Sequence, residues 1–516
     1  MESRMPPVLR PDNPPVKSLA DLATHFGLGV EGDIDGVSLN GITLSTNDLQ
    51  RGEVYVAIQG ANRHGASFAA DARDKGAVAI LTDATGAELA RDAGLPILIT
   101  ESPRVVLGMI SAWVYDTGAD MPTLYAITGT NGKTSTAHLL EGILQQVGLV
   151  TGLSSTAERH IGDLTIVSRL TTPESSEMHA LLARMRESGV QAVAVEVSAQ
   201  ALSRHRVDGI MFDVAAFTNL SHDHFDDYRD FDDYMDAKVA LFQPDRARRG
   251  VVSLDTAWGE GLVKRAGIPV VTITSLPDTE ANWIVTIGDE KPEYTEFSLT
   301  HAAHGTLHSR IPLIGAHMAA NAGLAIAMMV EGGIPFADID AALTRDGGVK
   351  AYLPGRTERV SGDTGPTVYV DFGHSPDAFA KTLAAVRRVT PGRVIMVFGA
   401  DGDRDATKRH DMAKEAVLGS DILVITDHHP RFEDPDSIRA TLVEGARAAR
   451  PDGDIHEVSP PEAAIREAVS LAREGDAILW AGPGHQDYRD IRGVRTPYSA
   501  REEARKALRE AGWDAS

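Results

Sequence analysis

The sequence predicts an α/β protein of three domains, on three observations. Its 516 residues exceed what one core holds at roughly 150 residues per domain. The last third alternates apolar, strand-like runs with helical patterns, which implies a parallel sheet wrapped by helices. In the middle, a buried-type run over 123–128 passes through a glycine loop into an amphipathic helix, as in P-loop folds.

The elements follow in order. Pro6, Pro7, Pro11, Pro14 and Pro15 make residues 1–17 a mobile tail. A helical pattern over 18–26 and β-type runs at 52–58 and 77–81 make a small N-terminal α/β domain, residues 1–118. The turn formers of 116–122 read as a linker. The central domain, 119–349, carries the strand and glycine loop. Its helix has Leu139, Leu140, Ile143, Leu144 and Val147 on one face, and further strands are expected at 190–197 and 212–217. Asp346-Gly347-Gly348 marks the second boundary. The C-terminal domain, 350–516, is Rossmann-like, with strands at 367–371, 393–398, 421–426 and 477–480. In such sheets ligands bind at the carboxyl ends of the strands.

Composition excludes several classes. The net charge of −23 argues against a sequence-independent nucleic-acid binder, which needs a cationic face. A local cationic pocket for a small anion is still compatible with it. Hydrophobic content of 43% and charged content of 24% are ordinary for a folded chain. The absence of cysteine rules out disulfides, thiolate metal sites and a cysteine nucleophile. No apolar stretch reaches the roughly 20 residues of a membrane span, and the N-terminus lacks the apolar run of a secretory signal. No membrane insertion and a cytoplasmic location are therefore expected.

The strongest chemical signal is Gly129-Thr130-Asn131-Gly132-Lys133-Thr134, between a strand and a helix. Glycines let the backbone turn its N–H groups towards phosphate, and the helix N-terminus adds partial positive charge. Lys133 would neutralise phosphate and Thr134 would ligate Mg²⁺. Position 127 is Ile, so this is a shorter loop than G-x-x-x-x-G-K-[ST]. Glu196, ending a buried strand, needs a cation or hydrogen bonds, and Mg²⁺ favours such oxygen ligands. The run Asn219-Leu220-Ser221-His222-Asp223-His224 could hold a divalent ion or form a solvated acidic loop. Lys238 by itself is a helix lysine. In the last third, Arg356, Asp371, His374, Arg404, His429, Arg431 and His485 stand in short motifs, most of them at strand ends. Arginine there recognises carboxylate or phosphate.

In combination these stretches resemble the Mur ligases, most closely the MurE type. The resemblance rests on T-G-T-N-G-K-T-S, T-T-P, E-V-S, F-T-N-L-x-x-D-H, A-K-x-x-L-F, P-G-R, D-x-x-H-x-P-D, G-D-R-D and A-G-x-G-H-x-D-Y, spread from about residue 40 to 490. It implies an ATP-dependent ligase that adds an amino acid to UDP-N-acetylmuramoyl-L-alanyl-D-glutamate in peptidoglycan synthesis. It also implies a UDP-binding role for the N-terminal domain and an ATPase role for the central one. Gly129, Thr130, Asn131, Gly132, Lys133 and Thr134 would hold ATP, together with Asn321, Arg356 and Asp371. Thr134, Glu196 and His224 would bind Mg²⁺, two ions in all. Lys238 would be an N6-carboxylysine formed from CO₂. Lys133, Lys238, His224 and Glu196 would form the catalytic set. The sugar dipeptide would meet Ser45, Thr171, Thr172, Ser198, Arg204 and Arg206. The amino acid would meet Arg404, His428, His429, Arg431, Gly482 and Gln486. A monomer is expected.

Several positions depart from the family pattern. E-V-S-S-H reads Glu196-Val197-Ser198-Ala199-Gln200, and an Asn of G-x-x-N-x-x-N is Met318. The D-N-P-R that accompanies meso-diaminopimelate use reads His428-His429-Pro430-Arg431. A-G-K-G-H-E reads Ala481-Gly482-Pro483-Gly484-His485-Gln486. L-Lysine or another diamino acid therefore stands beside diaminopimelate as the expected substrate. Two alternatives are a folylpolyglutamate synthetase-like ligase and a nucleotide-binding regulator without catalysis.

Overall fold

The computed structural model describes residues 8–516 apart from 61 and 224. Among the described residues it contains three large sheets, one in each expected region, and two two-stranded ones, Lys17–Ser18 with Ser38–Leu39 and Tyr488–Ile491 with Val494–Pro497. The N-terminal sheet has the spatial order Gly29–Glu31, Ile97–Ile99, Ala79–Thr82, Glu53–Val56, Gly41–Thr43. All its pairs are parallel except the first. The first helix, Leu19–Phe26, starts where the Ser18 hydroxyl accepts from the Asp21 N–H and stops at Gly27 in the left-handed region.

The tail expectation fails from Val8 onward; residues 1–7 lie outside the described residues. Val8 is buried, and the Arg10 guanidinium pairs with buried Glu53. The backbone N–H groups of Asp12 and Asn13 donate to the Glu187 carboxylate of the central domain. Proline content signals a lack of regular structure, and here that irregular segment is fixed by buried charge.

The central sheet has eleven strands. Its core is parallel, in the order Thr151–Ser154, Ala192–Glu196, Thr123–Thr128, Phe212–Phe217, Ala247–Ser253, Val270–Thr274. Antiparallel strands extend it at one edge, Glu158–Ile161 and Leu164–Val167; at the other, Trp283–Lys291 joins parallel to Val270–Thr274 and then pairs antiparallel with Tyr294–His301, followed by Gly305–Ile311. The expected parallel sheet is thus its middle. The apolar run at 123–128 arises because Tyr125 and Ile127 face a core under helices Lys133–Gln146 and Ala316–Glu331, while Leu124 and Ala126 face a second core under Ser175–Glu187. A strand buried on both faces cannot alternate in polarity.

The C-terminal sheet runs Glu358–Arg359, Thr367–Asp371, Ala477–Ala481, Val394–Phe398, Ile422–Ile425, Asp454–Glu457. It is parallel except at the first strand. It too has two cores, with Tyr369, Met396, Leu423 and Leu479 on one face and Val370, Val397, Val424 and Trp480 on the other. No helix among the described residues is long and apolar enough to cross a membrane.

Candidate active site

The loop 129–132 joins the central strand Thr123–Thr128 to helix Lys133–Gln146. A Cβ on Gly129 would lie 1.9 Å from Thr218 Oγ1, and Gly132 sits at φ 87° as the N-cap with no side-chain cap. The first N–H groups of the helix are therefore open to an anion. Asn219 Oδ1 accepts from the Asn131 N–H at 2.9 Å, and the Thr218 hydroxyl donates to the Asn131 carbonyl at 2.6 Å. The neighbouring strand end thus shapes the loop.

Two lysines converge on one carbonyl. Lys133 Nζ donates to the Gly129 and Thr130 carbonyls at 3.0 and 2.8 Å, and Lys238 Nζ donates to the same Gly129 carbonyl at 2.9 Å. Lys238 is fully buried, 4.2 Å from the centroid of the Tyr234 ring. Desolvation above all, and then Lys133, push its pKa well below that of an ordinary lysine, against the pull of Asp223. Lys133 is lowered by desolvation too, with Glu196 and Asp223 opposing the shift.

Glu196 ends the strand beside the loop, in register with Ile127. It is 0% exposed, and its two oxygens accept from the Thr156 N–H and hydroxyl, each at 2.9 Å. These donors are neutral, and its charge is answered at longer range by Lys133 and Arg356. Beside the Thr134 hydroxyl, this set of hard oxygens fits a divalent cation. His224 lies outside the described residues.

Thr171, Thr172, Ser198 and Arg206 gather around Glu196. Thr156 Oγ1 lies 3.0 Å from Thr171 Oγ1 and, its own proton being given to Glu196, accepts there; the Thr172 hydroxyl donates to the Glu196 carbonyl, and the Ser198 N–H donates to Thr172 Oγ1. Arg206 pairs with Glu174 at 3.0 Å. Arg204 lies at the margin, half exposed, paired with Asp227. Ser45 lines a separate cavity of about 440 Å³ in the N-terminal domain, with Tyr55, Arg63 and Phe68. The next turn is tied to the central domain by Asp48 and Arg169, bonded through both guanidinium nitrogens at 2.8 and 2.9 Å.

The C-terminal domain closes over the loop. Arg356 Nη2 donates to the Thr134 hydroxyl at 2.7 Å while its guanidinium lies 4.5 Å from the Phe372 ring. Asn131 Nδ2 donates to Asp377, Lys408 Nζ to Asp223 at 2.8 Å, and His374 Nε2 stands 3.8 Å from Asp223. Asp371 is placed differently from the expected nucleotide contact. Its oxygens accept from the Thr357 N–H and hydroxyl and from the Gly373 N–H, so it builds the turn that aims Arg356. Asn321 sits within 3.0 Å of where a Gly132 Cβ would be and lines a cavity of about 260 Å³ with Thr218, His317 and Leu324.

At the far end of the C-terminal sheet, His428, His429, Arg431, Gly482 and Gln486 come together. His429 Nε2 lies 2.8 Å from Gln486 Oε1, Arg431 Nη2 lies 3.5 Å from Asp401 Oδ2, and Gly482 faces the His428 ring. Arg404 does not join them; it is exposed beside buried Asp405. Sequence reasoning missed Thr156, Asp48, Arg169, Asp401 and Lys408. Lys408 and Asp401 flank the Gly402-Asp403-Arg404-Asp405 run and were within reach of it. Thr156 and the Asp48–Arg169 pair carry no local signal, because their partners lie 40 and 121 residues away.

Residues 127–329 match the Mur ligase middle domain, and 355–484 match the Mur ligase, glutamate ligase domain. The chain is 57% identical over 513 residues to a UDP-N-acetylmuramyl-tripeptide synthetase of Leifsonia xyli, covering 99% of this chain and all of that one. It is 40% identical over 506 residues to a UDP-N-acetylmuramoyl-L-alanyl-D-glutamate–2,6-diaminopimelate ligase of Streptomyces avermitilis, covering 97% and 98%. In fold it is similar to a solved diaminopimelate ligase of that name, with TM-score 0.63, 24% identity and 95% and 99% coverage. It is also similar in fold to a folylpolyglutamate synthase of Mycobacterium tuberculosis, with TM-score 0.61, 18% identity and 80% and 96% coverage. The full-length relatives, and not the shared fold, separate these two possibilities: the chain belongs to the Mur ligase family, among the UDP-N-acetylmuramyl-tripeptide synthetases of the MurE type, and is a ligase.

Proposed function

We propose that the chain joins a diamino acid to the D-glutamate of UDP-N-acetylmuramoyl-L-alanyl-D-glutamate, at the expense of ATP, in peptidoglycan synthesis, as a cytoplasmic monomer. The observation that carries this reading is the convergence on one short loop of an uncapped helix N-terminus, buried Glu196, two desolvated lysines and an arginine from the opposing domain.

A carboxylate is a poor electrophile. The glutamate oxygen attacks the γ-phosphorus, the β–γ bridging P–O bond breaks, and ADP leaves an acyl phosphate. The incoming amine then attacks the acyl carbon, phosphate departs, and the amine loses a proton to give the amide. Lys133 would exchange its two loop carbonyls for phosphate oxygens, and the helix N–H groups would hold the same charge. Arg356 reaches the Thr134 hydroxyl from the C-terminal domain, which supports domain closure as part of each turnover. Asn321 and its cavity would take the base, and the Ser45 cavity the uridine end of the sugar nucleotide. Thr134 and Glu196, with His224, would hold Mg²⁺, which when bound neutralises charge on the transferring phosphoryl group.

Lys238 is suited to carbamylation. Its depressed pKa keeps a share of the amine neutral, and a neutral amine can add to CO₂, forming an N–C bond and losing a proton. The anion so formed would replace two competing cations by one cation and one anion.

The test is phosphate release with ATP, Mg²⁺, the UDP-muramoyl dipeptide and a panel of amino acids. Release with none of them overturns the reading. For Lys238, the alanine variant should lose most activity and regain part of it with a short-chain carboxylate, whereas full activity without rescue would remove the carbamate.

A further inference from the structure

The amino-acid end of the cleft carries an acid that no motif assigns. Asp401 follows strand Val394–Phe398, His428 and His429 follow Ile422–Ile425, and Gln486 follows Ala477–Ala481. Asp401 Oδ1 is buried and accepts no hydrogen bond among the described residues; His428 Nε2 lies 3.6 Å from it. The side chain as a whole is still 27% exposed, so a ligand can reach it. Facing it, Arg431 Nη2 lies 3.5 Å from Oδ2, and Arg431 Nε is likewise buried and unpartnered. Arg431 is held at φ 50°, its N–H donating to the Asp490 carbonyl and its own carbonyl accepting from Arg492. A non-glycine residue in that region is sustained by its surroundings. A carboxylate and a guanidinium thus sit close together with hydrogen-bonding capacity unspent, which is costly without a ligand.

His428 and Gln486, the other polar side chains nearest Asp401 and Arg431 from the strand ends, are uncharged. Burial, then His429, holds the His428 pKa down to about 3 against the pull of Asp401. The Asp490 N–H donates to His429 Nδ1 at 2.9 Å, which leaves the proton on Nε2 to be donated to Gln486 Oε1 at 2.8 Å. Both His429 nitrogens are therefore engaged. Asp401, His428 and His429 stand close enough to suit a metal ion, but His429 has no lone pair left for one. The nearby cation Arg489 donates from Nε to the His428 carbonyl at 3.2 Å, with Nη2 3.8 Å from Asp427.

Resting on the reading above, we propose that Asp401 receives the side-chain ammonium of the incoming amino acid and Arg431 its carboxylate, so that the enzyme selects a diamino acid with a single carboxylate over meso-diaminopimelate. The charges balance one to one. Besides the attacking amine, lysine, ornithine or 2,4-diaminobutyrate brings one carboxylate and one ammonium. Diaminopimelate brings a second carboxylate, which would face His428, His429 and Gln486 without a cation.

The experiment compares kcat/KM for lysine, ornithine, 2,4-diaminobutyrate, meso-diaminopimelate and norleucine, which has lysine's length without its ammonium. One of the three diamino monocarboxylic acids should exceed both diaminopimelate and norleucine by at least about 100-fold. Asp401→Asn should raise KM for that acid by about 100-fold while leaving KM for ATP and the UDP-muramoyl dipeptide unchanged, which also reports that the variant is folded. Diaminopimelate preferred over all three, or an unchanged amino-acid KM in Asp401→Asn, overturns the proposal while leaving the ligase reading intact. Turnover with no amino acid removes that reading and the proposal with it. Loss of amino-acid turnover on adding a transition-metal chelator in excess Mg²⁺ overturns it in favour of a metal at this cluster.

Discussion

The glycine loop and the pocket proposed for the amino acid both lie at the carboxyl ends of parallel strands, yet they present charge in different ways. The loop uses backbone: an uncapped helix end, glycines at 129 and 132, and a carbonyl shared by Lys133 and Lys238. Its charge is set largely by main-chain direction within six consecutive residues, to which Lys238 is brought from 109 residues away. The pocket uses side chains, Asp401, His428, His429, Arg431 and Gln486, from three separate strand ends. Its preference can shift by substitution without disturbing the sheet. On the proposed reading, the shared chemical step is carried by rigid backbone, and the choice of substrate by side chains that can be exchanged.

Substitutions can break or sharpen this contrast. The largest effect is expected at the loop: Lys133→Ala should lower kcat by about 10³-fold or more, with thermal stability kept, and a loss under tenfold would mean the loop's charge is not used on the phosphoryl group. Next comes the seam between the regions. Lys408→Ala removes the cross-domain bond to Asp223 and should cut kcat by about 10- to 100-fold while leaving ATP binding by calorimetry unchanged.

Away from both regions, Arg10→Ala strands buried Glu53 and should cost about 3 kcal/mol in urea unfolding. A cost below about 1 kcal/mol would show that residues 8–17 are not held as described. His160 adds a pH test. It lies between Glu141 and Glu158, and their hydrogen bonds and charges, against desolvation, raise its pKa from 6.5 to about 9. A raised pKa stabilises the fold fully below 6.5, and this stabilisation is lost as pH rises through about 9. His160→Gln should therefore lower the urea midpoint at pH 6 and leave little difference above pH 9.5. The smallest effect belongs to exposed Arg229, paired with Asp233; Arg229→Ala should stay within about 0.5 kcal/mol.

Legibility in the sequence followed the same division. Strands 123–128, 212–217 and 367–371 were readable to the residue, because burial on both faces leaves a largely apolar run, interrupted within 212–217 only by half-buried Asp213. The edge strands Glu158–Ile161 and Leu164–Val167 went unseen, being half exposed and mixed in polarity. In the site, the phosphate loop and Glu196 were evident, since each is a polar interruption beside a buried strand. Asp371 was recognised but its carboxylate turned out to hold Thr357 and Gly373, a use that only the folded turn reveals.

By itself the sequence determined the α/β plan and the strand–glycine loop–helix at its centre, because both arise from contacts between residues close in the chain and from the periodicity of burial. Tertiary structure alone decided that Lys238 meets the Gly129 carbonyl 109 residues away, that Thr156 satisfies Glu196 across 40, and that His429 spends its proton on Gln486 across 57. A group's protonation and free valence depend on what surrounds it in space, and chain order does not carry that information.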